Sequence, residues 1–389
     1  MRLLRRIAKL AVAGLVHGTG AERLVGSSRR RGRLPFVVTY HRVIADGRRV
    51  PSGSHPAMFL TVRTLERHLD WLGRHFDLVS LDDVADRLSG TTRGGRPAAA
   101  VTFDDGYQDV CDNALPLLRR KGIPAAIFVV SDRVGTQELH THDRLLLLVA
   151  RLYADWPAGR GRLAMALHRM EIDPEVIARA LAPGRRAELV AGALLSELDR
   201  ASLVSLVTRL ESERESGGAG ASPRDHALAG WPELAAAARA GFTIGSHGCS
   251  HALLANEDPR TVVHEVLGSR LDIERQLQIP VRHIAYPAGS FDSVAVRIVA
   301  AAGYRCGFTI CRHRDPEFPE LTIPRHVFWE NTCRTPGGDF SASLMSCHVH
   351  DVPGFRSVCQ GHRRAAPRPF AVPAPEPFRA PLVRSEPGQ

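Results

Sequence analysis

Thr102-Phe103-Asp104-Asp105-Gly106 closes a run of small and β-branched residues, 98–101, that reads as a buried strand, and Gly106 with Gln108 opens a turn behind it. Two carboxylates therefore stand together at the C-terminal end of a strand. Adjacent like charges raise one pKa unless something positive lies between or beside them, so the pair asks for a metal ion. A bare Asp-Asp-Gly is most often a solvated turn; its weight here comes from the segments on either side.

Upstream, residues 35–40 form a short β-rich run with His41 and Arg42 at its end, and Val62, Leu65, Leu69, Leu72 and Phe76 mark one face of a helix. A brief strand at 78–80 follows, with Ser80 placed to cap a helix through Leu88. Downstream, residues 110–121 read as a helix ended by Gly122, and 125–130 as the next strand. Alternating strand and helix is the signature of a parallel sheet with crossover helices. That rhythm stops between about residues 135 and 230, where five helical stretches and the joint Gly217-Gly218-Ala219-Gly220 predict a helical insertion. It resumes with strands at 242–245, 283–286 and 304–310 separated by helices at 231–240, 259–278 and 294–302. Six or seven such units predict a closed or nearly closed α/β barrel.

The chain is organised accordingly as a basic N-terminal segment (1–33), a barrel domain (34–330) holding the insertion, and a C-terminal extension (331–389), Pro-rich and expected to be disordered from about 352. Its composition, 44% hydrophobic and 24% charged, is that of an ordinary globular protein. The formal charge of +10 belongs to the ends: residues 1–33 carry +8 and residues 356–389 carry +4, leaving the body near −2. A nucleic-acid groove across the fold is therefore not expected. Seven scattered cysteines without a Cys-x-x-Cys suggest reduced thiols and a cytoplasmic location. Leu3, Leu4, Ile7, Leu10, Ala11 and Leu15 recur at helical spacing among basic residues, and the uncharged run 10–16 is far shorter than the roughly 18 residues that span a bilayer. This segment, with Arg29, Arg30, Arg31 and Arg33 behind it, predicts a helix lying on an anionic membrane surface at the inner face; a secreted protein with a cleaved leader is the alternative.

Strand 242–245 runs into Ser246-His247-Gly248-Cys249-Ser250-His251. Two imidazoles four residues apart on one helical turn face the same way, so with Asp105 they make a two-His, one-carboxylate set for a single divalent ion. After the next strand, the Pro287-Ala288-Gly289 turn exposes backbone N–H groups that can hold an oxyanion.

Thr102-Phe103-Asp104-Asp105-Gly106, His247-x-x-x-His251 and Tyr286-Pro287-Ala288-Gly289, in that order, resemble the first three motifs of the polysaccharide deacetylases, the NodB-homology family of metal-dependent carbohydrate N-deacetylases. The resemblance spans about residues 36–324 and implies that family's distorted (β/α)7 barrel. Carried over residue by residue, it makes Asp104 the catalytic base, Asp105, His247 and His251 the metal ligands, and the Ala288 N–H an oxyanion contact. Zn²⁺ is the implied ion, with Co²⁺, Ni²⁺ and Mn²⁺ as alternatives, and an N-acetylated glycan the implied substrate. Departures are Gly248 where the family has Ser or Thr, leaving Ser250 to supply a supporting hydrogen bond; Ala288 in place of an aromatic; and Ala285 in place of an Arg. The Leu-x-His that supplies the family's acid near the C-terminus is not evident. Tyr40-His41 is instead similar to the N-terminal Tyr-His of the exopolysaccharide-deacetylase subgroup, which makes His41 the acid and His326 the substitute. Two other readings are a two-His, one-carboxylate Fe(II) oxygenase, against which Asp104 speaks, and a membrane-surface carbohydrate-binding protein with a decayed site, for which Gly248, Ala285 and Ala288 speak.

Overall fold

The computed structural model describes residues 2–22, 34–48, 50, 54–91, 95–155, 158–213 and 226–355. Strand β1 (Phe36–Tyr40) leads into a small parallel pair, β2 (Arg42–Ile44) and β3 (Phe59–Thr61). Strands β4 (Asp77–Leu78), β5 (Ala98–Phe103), β6 (Ala125–Val129), β7 (Thr243–Ser246), β8 (His283–Ala285), β9 (Cys306–Thr309) and β10 (Ile323–Val327) follow. The main sheet runs β1-β10-β9-β8-β7-β6-β5-β4 with every pair parallel, and β1 pairs again with β5 from Phe36↔Ala99 to Tyr40↔Phe103. That second pairing closes a ring of seven parallel strands, and β4 adds to it from outside. Parallel strands need crossover connections, and these supply the outer layer of helices.

Alternation along the strands separates two packed layers. Phe36, Val38, Tyr40, Val101, Phe103, Ile127, Val129 and Ile244 belong to the large core shared with the helices. Val37, Ala100, Phe128, Ala285, Phe308 and Ile323 form a second, smaller cluster inside the ring. Leu81 and Val84 of helix Leu81–Leu88 join that inner cluster at the N-terminal ends of the strands. Asp82 on the same helix closes this end by taking Arg282, His283 and Arg305 at 3.0, 3.3 and 3.1 Å. Ser80 caps the helix with a reciprocal Asp83 bond, as its sequence position predicts. The strand ending in Val327 is not among those read from the sequence, because Pro324 interrupts its pattern.

Five helices from Thr141–Ala154 to Arg200–Ser212 make up the insertion and bury their own aliphatic cluster, including Leu145, Val149, Leu163, Leu194 and Leu206. Gly217-Gly218-Ala219-Gly220 and the Arg29–Arg33 cluster lie outside the described residues.

The N-terminal helix Arg2–Gly18 is bound to the body rather than free on both sides. Ala13, with Leu10 and Val16 beside it, packs on Leu344, Cys347, Val352 and Phe355 of the C-terminal extension. Leu4, Ile7, Val12 and Leu15 face outward, so the expected single apolar face is divided between the body and solvent. Val352 and Phe355 of the extension are buried, and residues 356–389, where most of the Pro-rich tail falls, lie outside the described residues. Among the described residues no helix is long and apolar enough to cross a membrane, and the six described cysteines form no disulfide.

Candidate metal centre

The mouth of the barrel gathers side chains from four strand ends. Asp105 stands just past β5 in the left-handed region (φ 72°), a conformation tolerated by Asp better than by most residues. Its carboxylate oxygen Oδ1 lies 3.5 Å from His247 Nε2 and 3.4 Å from His251 Nε2. One ligand atom from each of the three side chains falls within 4.8 Å of the others. That Oδ1 is buried and accepts no hydrogen bond. Two neutral imidazole nitrogens and a buried carboxylate oxygen around one point are the donor set of a divalent transition ion, so the residues fit the implied metal. His247 is oriented by its other nitrogen, Nδ1, which faces the Ala285 carbonyl at 2.7 Å and therefore carries the proton.

The two imidazoles do not reach this point from one helical turn. Residues 247–251 form an irregular loop, Gly248 has φ 80° and His251 φ 65°, and it is these reversals that bring both rings to Asp105. Gly248 is also required by space: a Cβ there meets Glu265 Oε2 at 2.7 Å. The buried Glu265 carboxylate takes the Ser250 hydroxyl at 2.5 Å and the Ser250 N–H at 3.0 Å. Ser250 therefore anchors the loop to the helical layer, and is not the supporting bond expected of it for a ligand histidine.

Asp104 is buried at 3% exposure and held on both oxygens by Arg325, Nη1 to Oδ1 at 2.7 Å and Nη2 to Oδ2 at 2.8 Å. Arg325 is itself buried, bonded to the Thr39 and Thr102 hydroxyls at 3.2 Å, with its guanidinium over the Phe128 ring. Burial disfavours the Asp104 charge, but Arg325 outweighs it with help from His247 and His41, and the carboxyl is held below its ordinary range. The partner of Asp104 thus comes from β10, a residue that sequence reasoning passed over. A charged residue between Pro324 and His326 was its one signal.

His41 follows Thr39 on the inward side of β1, with Tyr40 facing the helices. Its Nδ1 is buried without a partner, and its field acts on both Asp104 and Asp105. His326 points the opposite way to Arg325: its ring lies 4.8 Å from Phe36 and its Nε2 3.9 Å from Asp351, outside the ring of strands. It is not positioned as a substitute acid. Ala288 is exposed in the turn after β8 with φ 49° and ψ 17°, and Gly289 N–H bonds Tyr286 while Ser290 N–H bonds Pro287. Asp105 is pushed well down: burial opposes its charge, yet the close approach of His251 and the surrounding imidazoles prevail.

With this geometry in place, the chain can be set beside known proteins. A family profile described as Polysaccharide deacetylase matches residues 91–179 and 208–307. The putative polysaccharide deacetylase YxkH of Bacillus subtilis (strain 168) is 24% identical over 115 residues, 29% of this chain and 37% of that protein, so the match spans little more than a third of its length. Among solved structures, the Streptococcus pyogenes deacetylase PplD in complex with acetate has TM-score 0.48 and 14% identity, covering 77% of this chain and 93% of the other. IcaB from Ammonifex degensii has TM-score 0.47 and 15% identity, covering 81% and 96%.

Proposed function

The chain belongs to the polysaccharide deacetylase family, and on that premise we propose that it is a metal-dependent hydrolase that removes N-acetyl groups from an N-acetylated amino sugar. The observation that carries the proposal is the separation of two adjacent carboxylates: Asp105 turns to His247 and His251, while Asp104 turns to Arg325. One carboxylate faces the two imidazoles, and the other, kept charged by Arg325, stands beside them as the proton acceptor.

An amide resists hydrolysis because its carbonyl is a poor electrophile and its amine a poor leaving group. Asp105, His247 and His251 would hold a divalent ion, Zn²⁺ by preference, which would supply Lewis-acid polarisation and a water of lowered pKa. Asp104 accepts the proton of the attacking water, and Arg325 keeps its carboxylate charged and in place. The Ala288 N–H is offered to the developing oxyanion. His41 donates a proton to the amine nitrogen as the C–N bond breaks, leaving acetate and a free amino sugar. Acetate release from N-acetylglucosamine oligomers tests the reading. Asp104→Asn keeps the metal and loses turnover, Asp105→Asn loses the metal, and His41→Ala lowers kcat by about 10²–10⁴, the range of general acid catalysis. His326→Ala leaves kcat unchanged. Equal metal loss in both aspartate variants sinks the division of roles.

The enzyme is further proposed to work at an anionic membrane surface on the cytoplasmic side, on a lipid-linked or membrane-tethered glycan. Leu4 and Leu15, 71% and 70% exposed, line the outer side of a helix whose other side is fixed to the body, and residues 1–33 carry +8. Each basic residue near such a surface adds about 1 kcal/mol. Leu4→Asp with Leu15→Asp should release the protein from phosphatidylglycerol vesicles at low salt without loss of soluble-substrate turnover. Unchanged vesicle binding, or cleavage of the N-terminus on export, leaves a secreted polymer deacetylase instead.

A further inference from the structure

Both ends of the helical insertion meet on the turn that carries Asp105. From its entry, His140 Nε2 lies 3.1 Å from the Asp105 carbonyl, which can only accept, so Nε2–H donates. Two residues on, in the first turn of helix Thr141–Ala154, His142 Nε2 stands 3.1 Å from the Tyr107 hydroxyl, and Asp143, one residue further, takes the same hydroxyl at 2.7 Å. From its exit, Ala229 N–H bonds the Gly106 carbonyl at 2.9 Å and Gln108 N–H bonds the Ala227 carbonyl at 2.9 Å, making an antiparallel bridge between Tyr107 and Leu228. His226, from the same exit segment, has Nδ1 3.3 Å from Asp143 and so brings the two ends side by side. His140, Tyr107 and Asp143 are all buried.

The clamped turn takes two left-handed residues in a row. Asp105 and Gly106 have φ 72° and 73° in succession, a region disfavoured for residues with a Cβ, though less for Asp than for most. Such a conformation persists only where surrounding contacts over-determine it. β5 itself ends at Phe103, so its ladder does not reach the turn.

We propose that the base of the insertion is part of the metal centre, with His140 as a positioning residue that holds the Asp105 backbone so that its carboxylate meets His247 and His251. The insertion is then a lever on the metal site as well as a wall beside it. The inference rests on the reading of Asp105 as a metal ligand and extends it to residues that no motif marks.

The test compares His140→Gln, whose amide N–H replaces the donor, with His140→Met, of similar size and without one. Zn²⁺ affinity of the full chain is measured by competition with a chromophoric chelator, and the Co²⁺ electronic spectrum reports ligand geometry. Leu206→Ala, in the insertion's own core, is the control for destabilisation alone. We expect His140→Met to weaken Zn²⁺ binding about 10–100-fold, the range for residues that orient ligands, and to alter the Co²⁺ spectrum. His140→Gln should remain near wild type and Leu206→Ala unchanged in both. Equal affinity and spectra in His140→Met and wild type overturn the proposal, and so does an equal loss in His140→Met and Leu206→Ala. A wild-type chain that takes up neither Zn²⁺ nor Co²⁺ overturns the metal reading and the clamp together. One that binds metal but releases no acetate overturns only the activity, leaving the clamp to be judged by the same variants.

Discussion

The barrel and the insertion are two cores built on opposite plans. Inside the barrel mouth, charge is buried and matched: Arg325 with Asp104, and Asp105 with two imidazoles. The insertion buries an almost wholly aliphatic cluster, and its polar residues reach the barrel mainly through His140, His142 and Asp143. Charge in a low-dielectric interior is worth keeping only where geometry is fixed, and a closed ring of parallel strands fixes it on every side. A helical cluster needs no such precision, because apolar contact is non-directional. Chemistry therefore collects where the sheet closes, while the insertion contributes shape and a hold on one turn.

The contrast is broken most severely at Arg325. Arg325→Met leaves Asp104 buried without its partner, and breaking such a pair costs about 3–5 kcal/mol. We expect a fall of that size in denaturant unfolding of the whole barrel, together with loss of turnover. A variant as stable as wild type means that Asp104 is not dependent on this pair.

Leu206→Ala acts on the other core. A buried Leu→Ala change costs about 2–5 kcal/mol, and because the insertion has its own cluster the loss should appear as an early transition of residues 141–212 in hydrogen exchange, ahead of the barrel. A single transition shifted as a whole would show that the two cores unfold as one.

The last effect is read on a buried histidine away from the metal site. His68, fully buried beneath Tyr40 with Nδ1 3.3 Å from its hydroxyl, is pushed down from 6.5 to about 3, mainly by burial. The unfolded chain takes up this proton below about pH 6.5 while the folded chain does not until about pH 3. Stability from this group is therefore full above pH 6.5 and declines as pH falls toward 3, by about 1.4 kcal/mol per pH unit. His68→Phe should flatten the stability curve between pH 6 and pH 4 by that slope, measured in urea; an unchanged slope assigns the acid sensitivity elsewhere.

The strand at 98–103, the alternation that closes a barrel, the helical interruption and the types of residue at 104, 105, 247 and 251 are all local patterns, and each was legible from spacing alone. Side-chain periodicity is set by backbone geometry, which neighbouring residues determine. What only the tertiary structure decided is which face of a strand looks inward and what lies opposite it. Arg325 and His326 are adjacent and chemically plausible alike, yet one meets Asp104 across 221 residues of chain and the other packs on Phe36. Period two tells that they diverge; only closure of β10 on β1 tells which of them enters the site. The reversals at Gly248 and His251, and the grip of His140 on the Asp105 turn, depend likewise on contacts between segments far apart in the chain, which local sequence pattern does not encode.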